Sequence, residues 1–316
     1  MNPSLFSHYG TIFSKQLWRK LASRTIPCPL CGCAQFTPVC KRPNVNMMFF
    51  REIFAEKVVA CRACGFVWTN PQAASEALEK YYSEYYLLQG LNVPRSVEEF
   101  LNEEYKKIWF SKDRDLQLIL EQKDHGRLLD IGCASGTLLW LASRQGFAVF
   151  GVEVARRSAD FVKNILGFEV FCGEPKNAAF ASSSFDVVTM FHSLEHVPDP
   201  RQVIREIHRI LASDGVFIGV VPNFGGWSSQ KFGPAWVWLQ PQNHYSHFTP
   251  ESLGKLLEAE NFTAEIRSEE GRYGDEEIRK YFDQAEINEI VSQRKGSELL
   301  FMARKARQTT EGGPNC

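Results

Sequence analysis

No aspartate or glutamate occurs among the first 51 residues of this 316-residue chain, while Lys15, Arg19, Lys20, Arg24, Lys41, Arg42 and Arg51 are all basic. No apolar run is long enough to span a bilayer, which excludes a membrane-crossing helix. The formal net charge is −1, so overall charge offers no argument for a polyanionic partner. No secretory signal opens the sequence, and six of the nine cysteines crowd between Cys28 and Cys64. A reduced, cytoplasmic setting with metal-bound thiolates is therefore expected in place of disulfides. Within the acid-free stretch, Tyr9, Ile12, Phe13, Leu17 and Leu21 recur at helical spacing, with the basic residues mostly off that stripe. The pattern predicts a helix packed on its own protein, with peripheral contact to anionic lipid as the alternative.

What is present is organised around Arg127-Leu-Leu-Asp130-Ile-Gly132-Cys-Ala-Ser-Gly136-Thr-Leu-Leu-Trp-Leu141. A short apolar run, a turn on two glycines and apolar residues at helical spacing read as strand, turn and helix, the first unit of an open α/β sheet. Ala148–Val154 reads as the next parallel strand, with Glu153 near its carboxyl end, where an acid can accept both hydroxyls of a ribose. The dinucleotide fingerprint Gly-x-Gly-x-x-Gly is missing, and Asp130 would repel a pyrophosphate. A nucleoside with a cationic, amino-acid-like tail suits both acids. S-adenosylmethionine is such a molecule.

Leu-Asp-Ile-Gly-Cys-Ala-Ser-Gly and Gly-Val-Glu-Val together resemble the first motif and the ribose-binding strand end of the class I S-adenosylmethionine-dependent methyltransferases. Ala134 stands where many members have a third glycine, which is tolerable if that residue keeps φ negative. The resemblance implies a Rossmann-like α/β fold with a seven-stranded sheet and an antiparallel last strand. It also implies cofactor contacts from Asp130, Gly132, Gly136, Glu153, Glu174 and Phe191. The later segments fit that order. Arg156–Leu166 reads as helix, Glu169–Gly173 and Phe185–Phe191 as strands, Arg201–Leu211 as helix and Gly215–Pro222 as strand. Thr249-Pro250 opens another helix, and Thr263–Glu269 and Ser297–Arg304 read as a closing pair. Val97–Gln122 predicts one charged amphipathic helix leading into the sheet.

Pro27-Cys28-Pro-Leu-Cys31-Gly32 and Cys61-Arg-Ala-Cys64-Gly65 form two matching knuckles about 30 residues apart. Four thiolates in this arrangement suit a structural zinc ion. The run between them carries strand-like Met47–Phe50 and Lys57–Ala60, as in a zinc ribbon, and no thioredoxin-like unit lies nearby to favour redox chemistry. Cys33 and Cys40 read as extra thiols. The knuckles, Asn70-Pro71 and the tyrosine-rich stretch Ala73–Tyr86 resemble the zinc-binding leader of a branch that includes deoxysugar C-methyltransferases.

Chemistry is expected at the carboxyl ends of the strands. Leu194-Glu195-His196-Val-Pro-Asp-Pro200 resembles the segment after the fourth strand of the ubiquinone-type O-methyltransferases, which makes His196 a candidate base. The segment Gly233–Pro250, rich in tryptophan and histidine, resembles the long loop after the fifth strand, with His244 directed at the acceptor. His192-x-x-Glu195-His196 with His244 also resembles, with His192 in place of a glutamate, a metal-binding segment of small-RNA 2′-O-methyltransferases. Asn-Pro-Pro-Tyr is absent after the fourth strand, which argues against methylation of a base amine.

These readings give a basic leader (1–26), a zinc-knuckle domain (27–72), a helical linker or cap (73–123), a class I methyltransferase domain (124–306) and a disordered tail (307–316). The expected reaction is S-adenosylmethionine-dependent methylation of a hydroxyl, or activated carbon, of a small molecule, sugar or glycan/lipid intermediate. An RNA ribose 2′-O-methyltransferase gripping RNA through the zinc domain and leader is the enzymatic alternative, although nucleic acid is the less expected partner. A non-catalytic cofactor- or partner-binding module is the other alternative.

Overall fold

The structure, a computed structural model, describes residues 23–39, 58–73, 93–106, 110–236, 238–239, 243–270 and 282–306. The leader helix expected over 9–21, the strand-like run 47–50, the tyrosine-rich stretch beyond residue 73 and the tail 307–316 lie outside the described residues. The elements before the large sheet are β1 (Ser23–Arg24), β2 (Phe36–Pro38), β3 (Val58–Cys61), β4 (Val67–Thr69), β5 (Gln72–Ala73), α1 (Val97–Phe100), α2 (Glu103–Lys106) and α3 (Phe110–Leu120). Next come β6 (Gly126–Ile131), α4 (Thr137–Ser143), β7 (Phe147–Glu153), α5 (Arg156–Asn164), β8 (Glu169–Cys172), β9 (Phe185–Phe191), α6 (Pro200–Ile210) and β10 (Leu211–Pro222). The chain continues through α7 (Trp227–Phe232), β11 (Ser246–His247), α8 (Pro250–Ala259), β12 (Phe262–Glu269), α9 (Gln284–Ser292) and β13 (Glu298–Lys305).

Seven strands form one sheet in the order β12-β13-β10-β9-β6-β7-β8. The run from β10 to β8 is parallel, and β13 runs against both its neighbours. Successive side chains of a strand face opposite ways, so each central strand feeds two cores. Leu129, Ile131, Val188 and Met190 pack on one face with Val203, Ile204 and Ile207 of α6 and Leu253, Leu256 and Leu257 of α8. Leu128, Val187 and Phe191 pack on the other with Ile119, Leu138 and Leu139. Full burial of each such aliphatic side chain is worth about 1.5–3 kcal/mol. The helix starts carry the expected signals: Asp199 accepts from the Gln202 N–H at 3.0 Å, and Thr249 and Ser252 form a reciprocal capping box around Pro250.

The single helix expected over Val97–Gln122 is interrupted. Ser96 caps α1, and Asn102 then accepts the Tyr105 N–H at 2.7 Å and starts α2. The break lets Phe100 turn inward against Trp140 and Phe161, a gain that helical periodicity alone does not encode.

A second, four-stranded sheet runs β11-β4-β3-β2, and β1 pairs with β5 beside it. Its buried Val59 and Trp68, with Leu30 and Phe66 from the turns beside it, belong to the same apolar cluster as Ile131 and Leu253. The cysteine-bearing strands therefore share a core with the large sheet. No helix among the described residues is long and apolar enough to cross a membrane.

Candidate active site and metal centre

β6 ends in the glycine turn, where Gly132, Ala134 and Gly136 take φ of +83°, +49° and +77°. A Cβ on Gly132 would overlap Ser193 Oγ, and one on Gly136 would lie 2.9 Å from Val162 Cγ2. Ala134 corrects the expectation of a negative φ: it occupies the left-handed region, at a cost of about 1–2 kcal/mol. The offset is specific, because its N–H donates to Glu153 Oε2 at 2.9 Å.

Glu153 ends β7 and is buried, and its Oε1 accepts the Ala155 N–H at 2.7 Å. Burial pushes its carboxyl above the usual range, against the backbone N–H groups that favour the ionised form. An ionised carboxylate offers about four acceptor positions, more than these backbone N–H groups fill, so capacity remains for a ribose hydroxyl. Glu153 thus also holds the glycine turn, a role its place in the sequence did not reveal. Asp130 Oδ1 accepts the Thr189 hydroxyl at 2.8 Å, and burial raises its carboxyl against the pull of Lys112 and Thr189.

Lys112 also stands beside this cradle, and nothing in the sequence marked it. It pairs with Asp115 at 3.0 Å and lies 5.3 Å from the centre of the Phe191 ring at the end of β9. In sequence it is one more polar residue of an amphipathic stretch. Only the packing of α3 on the sheet brings it to Asp130. Glu174 follows β8 and pairs with Lys176 at 2.7 Å. Asp130, Glu153 and Glu174 therefore stand at the ends of three neighbouring strands. An anion for an ammonium group, an acceptor for a diol and a backbone open to close approach fit S-adenosylmethionine.

The turn after β9 packs directly on this cradle through Ser193 and Gly132. In that turn His196 Nδ1 lies 2.9 Å from the Asn243 carbonyl. A carbonyl only accepts, so Nδ1 carries the proton and Nε2 keeps its lone pair. His244 is 3% exposed and meets His196 edge to face, with ring centres 4.6 Å apart. Burial pushes both imidazoles below the ordinary histidine value, and the neighbouring histidines push His244 the same way. Both shifts favour the neutral imidazole. His192 takes φ +52° and lies 3.6 Å from Glu195 and 3.5 Å from Glu298. Trp238 stacks on both His192 and His244, at 5.8 and 6.4 Å. Trp236 is buried and donates to Ser228 at 3.0 Å, so it anchors the segment. Glu195 is 1% exposed, and neither carboxylate oxygen has a hydrogen-bond partner among the described residues. Ligand atoms of Glu195, His196 and His244 lie within 4.8 Å of one another.

The four knuckle sulfurs converge: Cys28 and Cys64 are 3.6 Å apart, Cys31 and Cys61 3.5 Å, and all four lie within 4.8 Å of one another. Zinc–sulfur bonds of about 2.3 Å in a tetrahedron separate the sulfurs by about 3.8 Å, so the cluster fits that ion. The two turns close alike, with Gly32 N–H on the Cys28 carbonyl at 2.8 Å and Gly65 N–H on the Cys61 carbonyl at 3.0 Å. Burial opposes ionisation of Cys61, but backbone N–H groups of Cys64 and Ala63 outweigh it and bring the thiol down to about 6. Cys33 is not part of the four-sulfur set, and Cys40 lies outside the described residues.

Residues 99–265 match the family described as Methyltransferase domain. The ubiquinone biosynthesis O-methyltransferase of Histophilus somni is 28% identical over 176 residues, covering 48% of this chain and 73% of that protein. The enzyme of the same name from Aeromonas salmonicida is 36% identical over 146 residues, covering 42% of this chain and 61% of that protein. A crystal structure of a SAM dependent methyltransferase from Archaeoglobus fulgidus superimposes with a TM-score of 0.50 at 21% identity, over 70% of this chain and 99% of that one, a likeness of fold.

Proposed function

The chain belongs to the methyltransferase domain family, and we propose that it moves a methyl group from S-adenosylmethionine to a hydroxyl of a small molecule, sugar or glycan/lipid intermediate, with an activated carbon as the other acceptor of that class. The observation that carries the hydroxyl reading is His196, whose proton is held on Nδ1 by Asn243 in the turn that packs on the cofactor cradle. The cofactor supplies an electrophilic methyl group on a cationic sulfur, which keeps the carbon–sulfur bonding pair when the methyl leaves. His196 Nε2 takes the proton of the acceptor hydroxyl as its oxygen bonds to the methyl carbon, a general-base contribution of about 10²–10⁴ in rate. Asp130 holds the cationic tail and Glu153 the ribose. His244 lies against His196 and narrows the approach to it. Relatives named as O-methyltransferases support oxygen as the nucleophile. One zinc ion on Cys28, Cys31, Cys61 and Cys64 stabilises the small sheet.

Glu195, whose carboxylate has no hydrogen-bond partner among the described residues beside His196 and His244, favours a second reading in which a divalent cation assists methylation of an RNA ribose. Incubation with methyl-labelled S-adenosylmethionine and phenols, sugar nucleotides, lipid-linked sugars or short RNA separates the two. A labelled small-molecule hydroxyl supports the first. Labelled RNA, with binding that falls steeply with salt and turnover that needs an added divalent ion, replaces it with the second. Cofactor binding with no transfer to any acceptor leaves a non-catalytic module.

A further inference from the structure

The histidine-bearing segment before α8 is a strand of the cysteine sheet. β11 pairs antiparallel with β4, placing Ser246 opposite Trp68 and His247 opposite Val67. At the end of β4 the fully buried Thr69 holds the same segment in three ways. Its N–H donates to the Tyr245 carbonyl at 2.9 Å, its hydroxyl donates to the His244 carbonyl at 2.8 Å, and its hydroxyl oxygen lies 3.4 Å from His247 Nε2. On the far side, the Tyr245 N–H donates to the Glu195 carbonyl at 2.7 Å, and His196 Nδ1–H bonds Asn243. Residues 243–247 are therefore clamped between β4 and the turn that presents His196.

β4 is in turn tied to the thiolates. It pairs with β3, which ends at Cys61, and Cys61 pairs with Phe36 of β2. Asn70, next to Thr69, exchanges two hydrogen bonds with Ile26 at 3.0 and 3.2 Å, just before Cys28. Outside β11, the described stretch between α7 and α8 has little regular structure, and such a segment holds a side chain in register only where its backbone is fixed at both sides.

We propose that Thr69 is a positioning residue for methyl transfer, and that the four-cysteine module acts through it as one wall of the acceptor site. The inference rests on the reading of His196 and His244 as the acceptor-side pair. The hydroxyl is the decisive atom: Thr69→Val keeps the shape without the donor, and Thr69→Ser keeps the donor.

The test uses the full zinc-loaded chain and follows solvent exchange of the His196 Nδ1–H proton by nitrogen-15 NMR, with zinc content and S-adenosylmethionine affinity measured alongside. Thr69→Val is expected to speed that exchange at least tenfold, with zinc retained and cofactor Kd within threefold of wild type. Thr69→Ser is expected to return exchange to within threefold. Wild-type exchange in Thr69→Val overturns the inference, as does a parallel loss of cofactor affinity, which would mark general loosening. If Thr69→Val loses zinc or does not fold, chelation of zinc from the wild-type chain replaces it. Faster exchange with cofactor binding kept then supports the link, and unchanged exchange or joint loss of both overturns it. Full turnover in His196→Ala would instead remove the active-site reading and leave the exchange result standing.

Discussion

Glutamine in place of Glu153 tests the cofactor cradle at the point where fold and binding meet. The carboxylate accepts the Ala134 N–H at 2.9 Å and the Ala155 N–H at 2.7 Å. An amide has one oxygen, so one of these N–H groups must face an NH₂ and loses its partner. A charge-assisted hydrogen bond is worth about 1.5–3 kcal/mol. The ribose contacts also become neutral, which weakens them further. We expect S-adenosylmethionine affinity to fall by about 2 kcal/mol, roughly 30-fold. Part of the effect arises within the protein, because Ala134 at φ +49° no longer has its compensating acceptor. Ala134→Gly removes that strain. In the Glu153→Gln background it should recover about 1 kcal/mol, roughly fivefold, and in the wild-type background much less, since residues in contact are not additive. Titration calorimetry measures both affinities, and circular dichroism melts report that the variants are folded. A folded Glu153→Gln protein that binds within threefold of wild type would refute the assignment. An equal effect of Ala134→Gly in both backgrounds would refute the coupling.

Three further outcomes are expected. His196→Ala should lower turnover by about 10²-fold or more with cofactor affinity unchanged, and activity should recover as rising pH ionises the acceptor; undiminished turnover near neutral pH counts against His196 as base. Metal analysis of the purified protein should give one zinc per chain, and Cys61→Ser should lower both zinc content and thermal stability; metal-free wild-type protein with full stability would end the zinc assignment. Burial keeps His244 and His247 neutral in the folded state, the latter down to about 3, while unfolded histidines take up protons below about 6.5. Their contribution is therefore present above about 6.5 and lost as pH falls towards 3, so melting temperature should drop between pH 7 and pH 5. His247→Gln should flatten part of that drop, and calorimetry showing the same slope in this variant would reject the source.

The sheet, the glycine turn, the capped helices and the paired knuckles were legible in the sequence because each is written in local spacing: apolar runs, glycines at fixed offsets, a threonine before a proline, cysteines three apart. Asp130 and Glu153 could be named for the same reason, since strand ends follow from strand lengths. The left-handed Ala134 could not, because what holds it is Glu153, 19 positions away. The helix expected over Val97–Gln122 breaks just after Phe100, whose ring meets Trp140 and Phe161 only once the layers pack. The acceptor-side arrangement is further from local pattern still. His196 has its tautomer set by a carbonyl 47 residues on, and Thr69 reaches across 175 residues to hold His244. Backbone groups carry no side-chain signature, so their pairing leaves no periodicity to read. The sequence alone determined which acids and histidines stand at the strand ends, and the tertiary structure decided which backbone groups they meet, because those contacts follow from hydrogen bonds between distant segments brought together by the shared core.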